Sequence, residues 1–321
     1  MDRLSARLDT VSVFVKRDDC TGLAFGGNKI RQLEYYLGQA VKEEADTVLI
    51  TGAVQSNFVR ATAAAARRCG MECHIQLEER VPNIDDLHRS SGNVLLDRIL
   101  GATLHSYPSG EDEEGADAKL KEIADELRQA GSKPYIIPLG AAHDPLGALG
   151  YIDAAAELLV QLDQRSLSMD HLVVSSGSGA THAGLLFGLR ALGSEIDVIG
   201  VCPRRDAESQ TLRIAGHVEK LTRMLDVQSG VSSDDICLTD VSLAPGYGQL
   251  NAATLEALSL SAQCEGVLLD PVYTAKAMAG LLHLARKREI SGNVLFWHTG
   301  GQPALFGYGD QLTVHGGISP D

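Results

Sequence analysis

Short apolar runs alternate along this chain with longer segments whose apolar positions recur at helical spacing. Val11–Val15, Thr47–Thr51, Glu72–Leu77, Ala102–Ser106 and Tyr135–Pro138 read as strands, and so do His171–Ser175, Asp197–Val201 and Asn293–Trp297. Between them, helical patterns cover Ile30–Ala40, the Ala-rich Asn57–Arg68, Val94–Leu100, Ala116–Ala130 and Ala148–Gln164. A further helix starts at Thr181, and two more cover Ala252–Cys264 and Thr274–Arg288. No element is assigned between Val201 and Ala252. This β-α-β-α rhythm predicts parallel sheets covered by helices on both faces. A Gly- and Ala-rich loop, Gly140–Gly147, interrupts the rhythm, and at 321 residues two domains are expected.

Composition narrows the function. With 44% hydrophobic residues the chain can build a core without disulfides. Lys and Arg number 28 against 42 Asp and Glu, a formal charge of −14, and no basic stripe interrupts the excess. Neither a nucleic-acid backbone nor an anionic membrane is an expected partner. No segment has the apolar length to span a bilayer, and the polar amino terminus Met1–Asp9 lacks the apolar centre of a secretory signal. The six cysteines lie scattered, as expected of reduced thiols in a cytoplasmic protein. Cys69 and Cys73 straddle Gly70, which is poor ligand geometry, so no metal site is expected.

Three turns are richer in glycine and small polar residues than packing requires. Gly26-Gly27-Asn28-Lys29 opens a helical stretch, and a lysine desolvated there becomes a nucleophile for a carbonyl carbon. Gly52–Asn57 joins a strand to a helix and leaves Ser56 and Asn57 at the helix start, where capping and ligand contact are compatible. Ser175–Gly184 is again strand, loop and helix, with backbone N–H groups suited to a phosphate. It lacks both the Gly-Lys-Ser/Thr of a Walker loop and the spacing of G-x-G-x-x-G. Each turn alone also fits an ordinary capped helix. A lysine of buried type together with a separate phosphate cup suggests a cofactor carrying an aldehyde and a phosphate, and pyridoxal 5′-phosphate fits. His182 and His298 flank Gly-rich turns and read as packing or capping residues.

The chain resembles the fold-type II pyridoxal-phosphate family of D-cysteine desulfhydrase, L-cysteate sulfo-lyase and 1-aminocyclopropane-1-carboxylate deaminase. The resemblance rests on Val15–Cys20, Gly26–Lys29, Gln55-Ser56-Asn57, Gly147–Tyr151, Ser176-Gly177-Ser178, Pro245–Gly248, Asp270–Tyr273 and His298–Gly301, in family order. It implies a tryptophan-synthase-β-like α/β architecture with the cofactor in an interdomain cleft. A small domain at residues 32–140 and a large one at 1–31 and 141–321 are expected. Lys29 matches the lysine that carries the cofactor, Asn57 the partner of its 3′-oxygen, Ser178-Gly179-Ala180-Thr181 the phosphate cup, and Thr299 the partner of the pyridine nitrogen. Ser56, Tyr247 and Tyr273 match catalytic polar groups around the substrate, and Gln55 is expected beside the substrate carboxylate.

The implied reaction is β-elimination from a three-carbon amino acid carrying sulfur, D-cysteine or L-cysteate, by a cytoplasmic homodimer. The segments Arg17–Ala24 and Gly92–Arg98 resemble the cysteate enzymes more closely. Ring-opening deamination and a non-catalytic cofactor-binding relative are the alternatives. Several positions depart from the family: Phe58 where His or Gln is usual, Gln32 where a lysine is common, Gly140–Asp144 where a Gly-Gly-Ser-Asn-like loop is usual, and Thr274 where the deaminases carry Glu.

Overall fold

The computed structural model describes residues 1–140 and 142–315, so Ala141 of the Gly140–Gly147 loop and residues 316–321 lie outside the description. In chain order come α1 (Asp2–Ser5), β1 (Val11–Arg17), α2 (Asn28–Lys42), β2 (Thr47–Ala53), α3 (Asn57–Arg68), β3 (Glu72–Glu78), α4 (Asp86–Ser90), α5 (Gly92–Ile99), β4 (Thr103–Tyr107), α6 (Glu113–Gln129) and β5 (Pro134–Ile137). There follow α7 (Leu149–Gln164), β6 (His171–Ser175), α8 (Ala180–Ala191), β7 (Asp197–Val201), α9 (Ala207–Leu225), β8 (Cys237–Thr239), α10 (Ala252–Glu265), α11 (Thr274–Arg286), β9 (Gly292–His298) and α12 (Gly309–His315). The expected strands and longer helices form within a few residues of their predicted limits. Helix α9 and strand β8 fill the stretch that the hydrophobic pattern left unassigned.

The described chain groups into two compact units, one of residues 1–20 and 144–302, the other of residues 21–143 and 303 onward. This differs from the boundary expected between residues 31 and 32. That boundary would cut through α2, a continuous 15-residue helix, so residues 21–31 go with the helix they begin.

The first unit holds a five-stranded sheet in the order β1-β9-β6-β7-β8, parallel throughout. Both of its faces are covered. In β6, Leu172 and Val174 point into a core shared with Tyr151, Leu158, Leu186 and Phe187 of α7 and α8. Val173 points to the other side, with Met278, Leu281 and Leu282 of α11. Strand β9 alternates in the same way, Leu295 and Trp297 on one face, Val294 and Phe296 on the other. This two-sided burial is why the strands read as unbroken apolar runs and not as an apolar–polar alternation. Helices α7 and α8 approach closely because Gly184 and Gly188 have no side chain: a Cβ on Gly184 would lie 2.3 Å from the Ala148 carbonyl oxygen, and one on Gly188 2.8 Å from Ala155 Cβ.

The second unit holds a four-stranded parallel sheet in the order β4-β3-β2-β5. Central β2 is buried along its whole length. Its Leu49 packs on Leu120, Ile123 and Ala124 of α6. Edge strand β5 opens with Pro134, a residue that tolerates only such a position because it has no N–H for the ladder. Among the described residues no helix is long and apolar enough to cross a membrane.

Buried Asp18 ties the first unit together at one point. Its carboxylate accepts the Tyr151 hydroxyl at 2.5 Å and the Trp297 indole N–H at 2.7 Å. Asp18→Ala strands two buried donors and is expected to lower the unfolding free energy by about 2–4 kcal/mol, whereas Tyr151→Phe is expected to cost only about 1 kcal/mol. Urea unfolding measures both. Equal losses would mean that the carboxylate does not serve both donors.

Candidate active site

In the second unit the backbone before Lys29 is held in an unusual path. Gly22, Ala24, Phe25, Gly26 and Gly27 all have positive φ, at 94°, 45°, 71°, 62° and 111°. Two of them are not glycine, and such conformations persist only where neighbours impose them. Here Thr21 clamps the turn, its hydroxyl donating to the Gly27 carbonyl and accepting the Gly27 N–H at 2.9 Å, while the buried Arg60 guanidinium donates to the Gly26 carbonyl. The result is α2 starting with Lys29 in its first turn, partly buried. Lys29 Nζ donates to Gln32 Oε1 at 3.3 Å and lies 4.6 Å from the centre of the Phe58 ring. Desolvation lowers its pKa from 10.5 to about 8. The amine is therefore far more often neutral, and nucleophilic, than a surface lysine.

Phe58 and Gln32, the two departures from the family pattern, thus both adjoin Lys29. Sequence reading places Gln32 three residues after the lysine in one helix, but does not bring Phe58 to it, because Phe58 belongs to a different helix.

Helix α3 begins beside them. Ser56 is its N-cap, accepting the Phe58 and Val59 N–H groups on Oγ, which leaves the hydroxyl proton to give. Asn57 Oδ1 accepts from Asn93 Nδ2 at 2.9 Å, so the orientation of the Asn57 amide is set. Gln55 is different. Its amide nitrogen donates to the carbonyls of His88 and Ser91, and its Oε1 accepts the Asn93 N–H. This side chain is consumed in bracing the start of α5.

In the first unit the loop after β6 turns through Gly179, with φ 96°, into α8. A Cβ there would meet His217 at 2.9 Å. No side chain caps the helix start. The carbonyl groups of the loop are pinned instead: Gly177 O accepts from Arg205 and Gln210, and Ser178 O from Arg213 Nε at 2.9 Å and His217 Nε2 at 3.0 Å. Thr181, in the first turn of α8, is buried, and an uncapped helix start of this kind suits an anion. The supports of this loop on α9 are residues that sequence reading missed. Asp206 as N-cap and the buried spacing Gln210, Ile214, His217, Leu221 are the signal that would have found that helix.

Thr299 follows β9 and is nearly buried. Because β9 and β6 are parallel neighbours, Thr299 and the Ser176–Gly179 loop share one carboxyl edge of the sheet. Tyr273, at the start of α11, lies against the same loop: a Cβ on Gly177 would stand 3.2 Å from its ring. The Tyr247 and Tyr273 hydroxyls are 2.6 Å apart. Asp270 holds the Tyr273 turn by accepting the N–H groups of Val272, Tyr273 and Thr274. The Thr274 hydroxyl also bonds to Asp270 at 2.7 Å, inside the turn.

Neither flanking histidine is available as a base. His182 is enclosed against Ser176, and burial lowers its pKa to about 4. His298 Nδ1 accepts the Gly300 N–H and its Nε2 meets the Leu268 carbonyl, which makes it the neutral Nε2–H tautomer, and burial lowers its pKa too. Among the described residues no three potential ligands gather as a metal site.

The chain is 40% identical over 314 residues to the D-cysteine desulfhydrase of Klebsiella pneumoniae subsp. pneumoniae, covering 97% of this chain and 93% of that protein. A crystal structure of an ACC deaminase homologue shares 37% identity and a TM-score of 0.88, over 98% of this chain and 91% of that one. The processed form of threonine deaminase isoform 2 from Solanum lycopersicum, at 20% identity and a TM-score of 0.64 over 94% and 77%, shares the fold. The model of the family described as pyridoxal-phosphate dependent enzyme matches residues 1–300, the span that holds the Lys29 turn, the α8 loop and Thr299, and to that family this chain belongs.

Proposed function

We propose that the protein is a carbon–sulfur lyase that uses pyridoxal phosphate to convert D-cysteine and water into pyruvate, hydrogen sulfide and ammonia. The observation that carries this reading is the near-full-length likeness to a D-cysteine desulfhydrase. The residues fit the cofactor's two demands. An aldehyde needs an unprotonated amine, and Lys29 titrates near 8. A phosphate needs converging N–H donors, and the α8 loop turns at a glycine whose Cβ would clash, with its carbonyls pinned away.

By the family resemblance, Lys29 would carry the cofactor covalently, Ser178-Gly179-Ala180-Thr181 would bind its phosphate, Asn57 its 3′-oxygen, and Thr299 would partner its ring nitrogen. When bound, pyridoxal phosphate supplies an electron sink for the pair left as the substrate Cα–H bond breaks. Lys29 Nζ is the base that would take the Cα proton. Ser56 Oγ holds the substrate through its remaining proton. One hydroxyl of the Tyr247–Tyr273 pair, 2.6 Å apart, would donate its proton to the sulfur as the C–S bond breaks and regain one from water before the next turnover. Thr299, being uncharged, does not fix a proton on its partner nitrogen as a carboxylate would, which suits prompt loss of a good leaving group. We infer that the chain works in the cytoplasm, in keeping with six unpaired cysteines, and as a homodimer by its resemblance to the family.

The ACC deaminase homologue supports a second reading, ring-opening deamination. Against it, the deaminase-like Glu is replaced by Thr274, whose hydroxyl is spent on Asp270. One assay decides: D-cysteine, L-cysteine, L-cysteate and the cyclopropane acid offered side by side. Pyruvate and sulfide from D-cysteine are expected. Sulfite from L-cysteate alone would move the reading to the sulfonate substrate. Oxoacid from the cyclopropane acid with cysteine untouched would overturn it, and a cofactor-loaded protein that turns over none of the four would be the non-catalytic relative.

The lowered proton affinity of Lys29 has a kinetic signature. Cofactor uptake by the cofactor-free protein should slow about tenfold per pH unit below 8 and level off above it, because only the neutral amine attacks. Stopped-flow absorbance follows this. A rate still climbing at pH 10 would show an ordinary lysine. Lys29→Ala should take up no label on borohydride reduction, whereas the parent carries it on the peptide containing Lys29.

Thr181→Val removes a hydroxyl donor and spares the loop N–H groups. Cofactor retention should weaken by about 1–2 kcal/mol, as for one charge-assisted hydrogen bond. Equilibrium dialysis measures it, and unchanged affinity would turn the hydroxyl away from the phosphate.

A further inference from the structure

Within the first unit lies a charged group that the proposed chemistry leaves unused. Lys276 is the third residue of α11 and fully buried. Its ammonium donates to two backbone carbonyls of one loop, Leu243 O at 2.8 Å and Gly246 O at 2.7 Å. Its own carbonyl accepts the Ser242 hydroxyl at 2.9 Å, so side chain and backbone grip the same segment. Asn251 closes the far side, donating to the carbonyls of Ser242 and Ala244. The residue after Gly246 is Tyr247, and three residues before Lys276 stands Tyr273. The hydroxyl pair is therefore brought together by a loop that meets α11 through the ammonium and the carbonyl of Lys276. A buried cation tied only to carbonyl dipoles is costly and is retained where it organises structure.

The geometry points to Lys276 as a positioning residue for the two tyrosines: its ammonium, by holding the Leu243–Gly246 loop on α11, sets the Tyr247–Tyr273 hydroxyl contact. Lys276 touches neither hydroxyl, and its effect passes through Tyr247. For turnover this rests on the lyase reading above; for the hydroxyl contact it does not.

The test uses the cofactor-loaded full chain labelled with 13Cζ-tyrosine. Tyr247→Phe identifies the shift of the Tyr273 phenol carbon when its partner hydroxyl is lost. Lys276→Met, which keeps the stem and removes the donors, should move the Tyr273 resonance to the same place. It should also lower kcat on D-cysteine at least fivefold with KM little changed. In the Tyr247→Phe background the same substitution should change kcat less than twofold, since the contact it acts through is already gone. A merely structural role would lower both backgrounds alike and leave the Tyr273 resonance where it was. Either result overturns the proposal. If the parent does not turn over D-cysteine, the lyase reading fails and the resonance still decides for or against Lys276. Should Lys276→Met not fold, Lys276→Arg, with its charge kept and its donors re-aimed, is read against the same resonance and the same cycle.

Discussion

The burial of parallel strands on both faces governs everything else in this molecule. Leu172, Val173 and Val174 in β6, and Val294 to Trp297 in β9, leave no strand surface for polar chemistry. Helices occupy both sides of the five-stranded sheet, so functional groups collect at the strand ends. At the carboxyl edge the chain must leave the sheet and restart as a helix, and each restart leaves unsatisfied N–H groups. Ser56 caps one such start with its own oxygen. Gly179 leaves another uncapped, and a start of that kind is what an anion needs.

Three buried charges in this protein are handled through the backbone. Arg60 reaches the Gly26 carbonyl, Lys276 the carbonyls of Leu243 and Gly246, and Asp270 a run of three N–H groups. In each case a buried charge is hydrogen-bonded to peptide dipoles and not to an opposite charge, and in each case the gripped segment leads directly to Lys29, Tyr247 or Tyr273. Lys29 differs. Its neighbours are an amide and an aromatic face, and burial moves it toward its neutral form.

The pattern of apolar runs and helical spacing determined the α/β class, most of the elements and the three glycine-rich turns, because those depend on neighbours in sequence. The turn before Lys29, the Ser56 cap and the α8 loop were legible for the same reason: a turn and the helix it opens are one local piece of chain. Helix α9 was legible in principle through its spacing from Gln210 to Leu221, and Lys276 through its setting among Ala, Met and Leu.

Other features were decided only in three dimensions. Gln55 stands beside Ser56 in sequence, yet its amide is drawn into the start of α5 because three backbone groups of residues 88–93 converge on it. Phe58, on a helix distant in sequence, is brought against Lys29 by packing. Residues 21–31 join the second unit because α2 runs through the expected boundary without a break. Local sequence sets which groups are present and how each turn is made. Which groups meet depends on packing between elements distant in the chain, and that is a property of the fold alone.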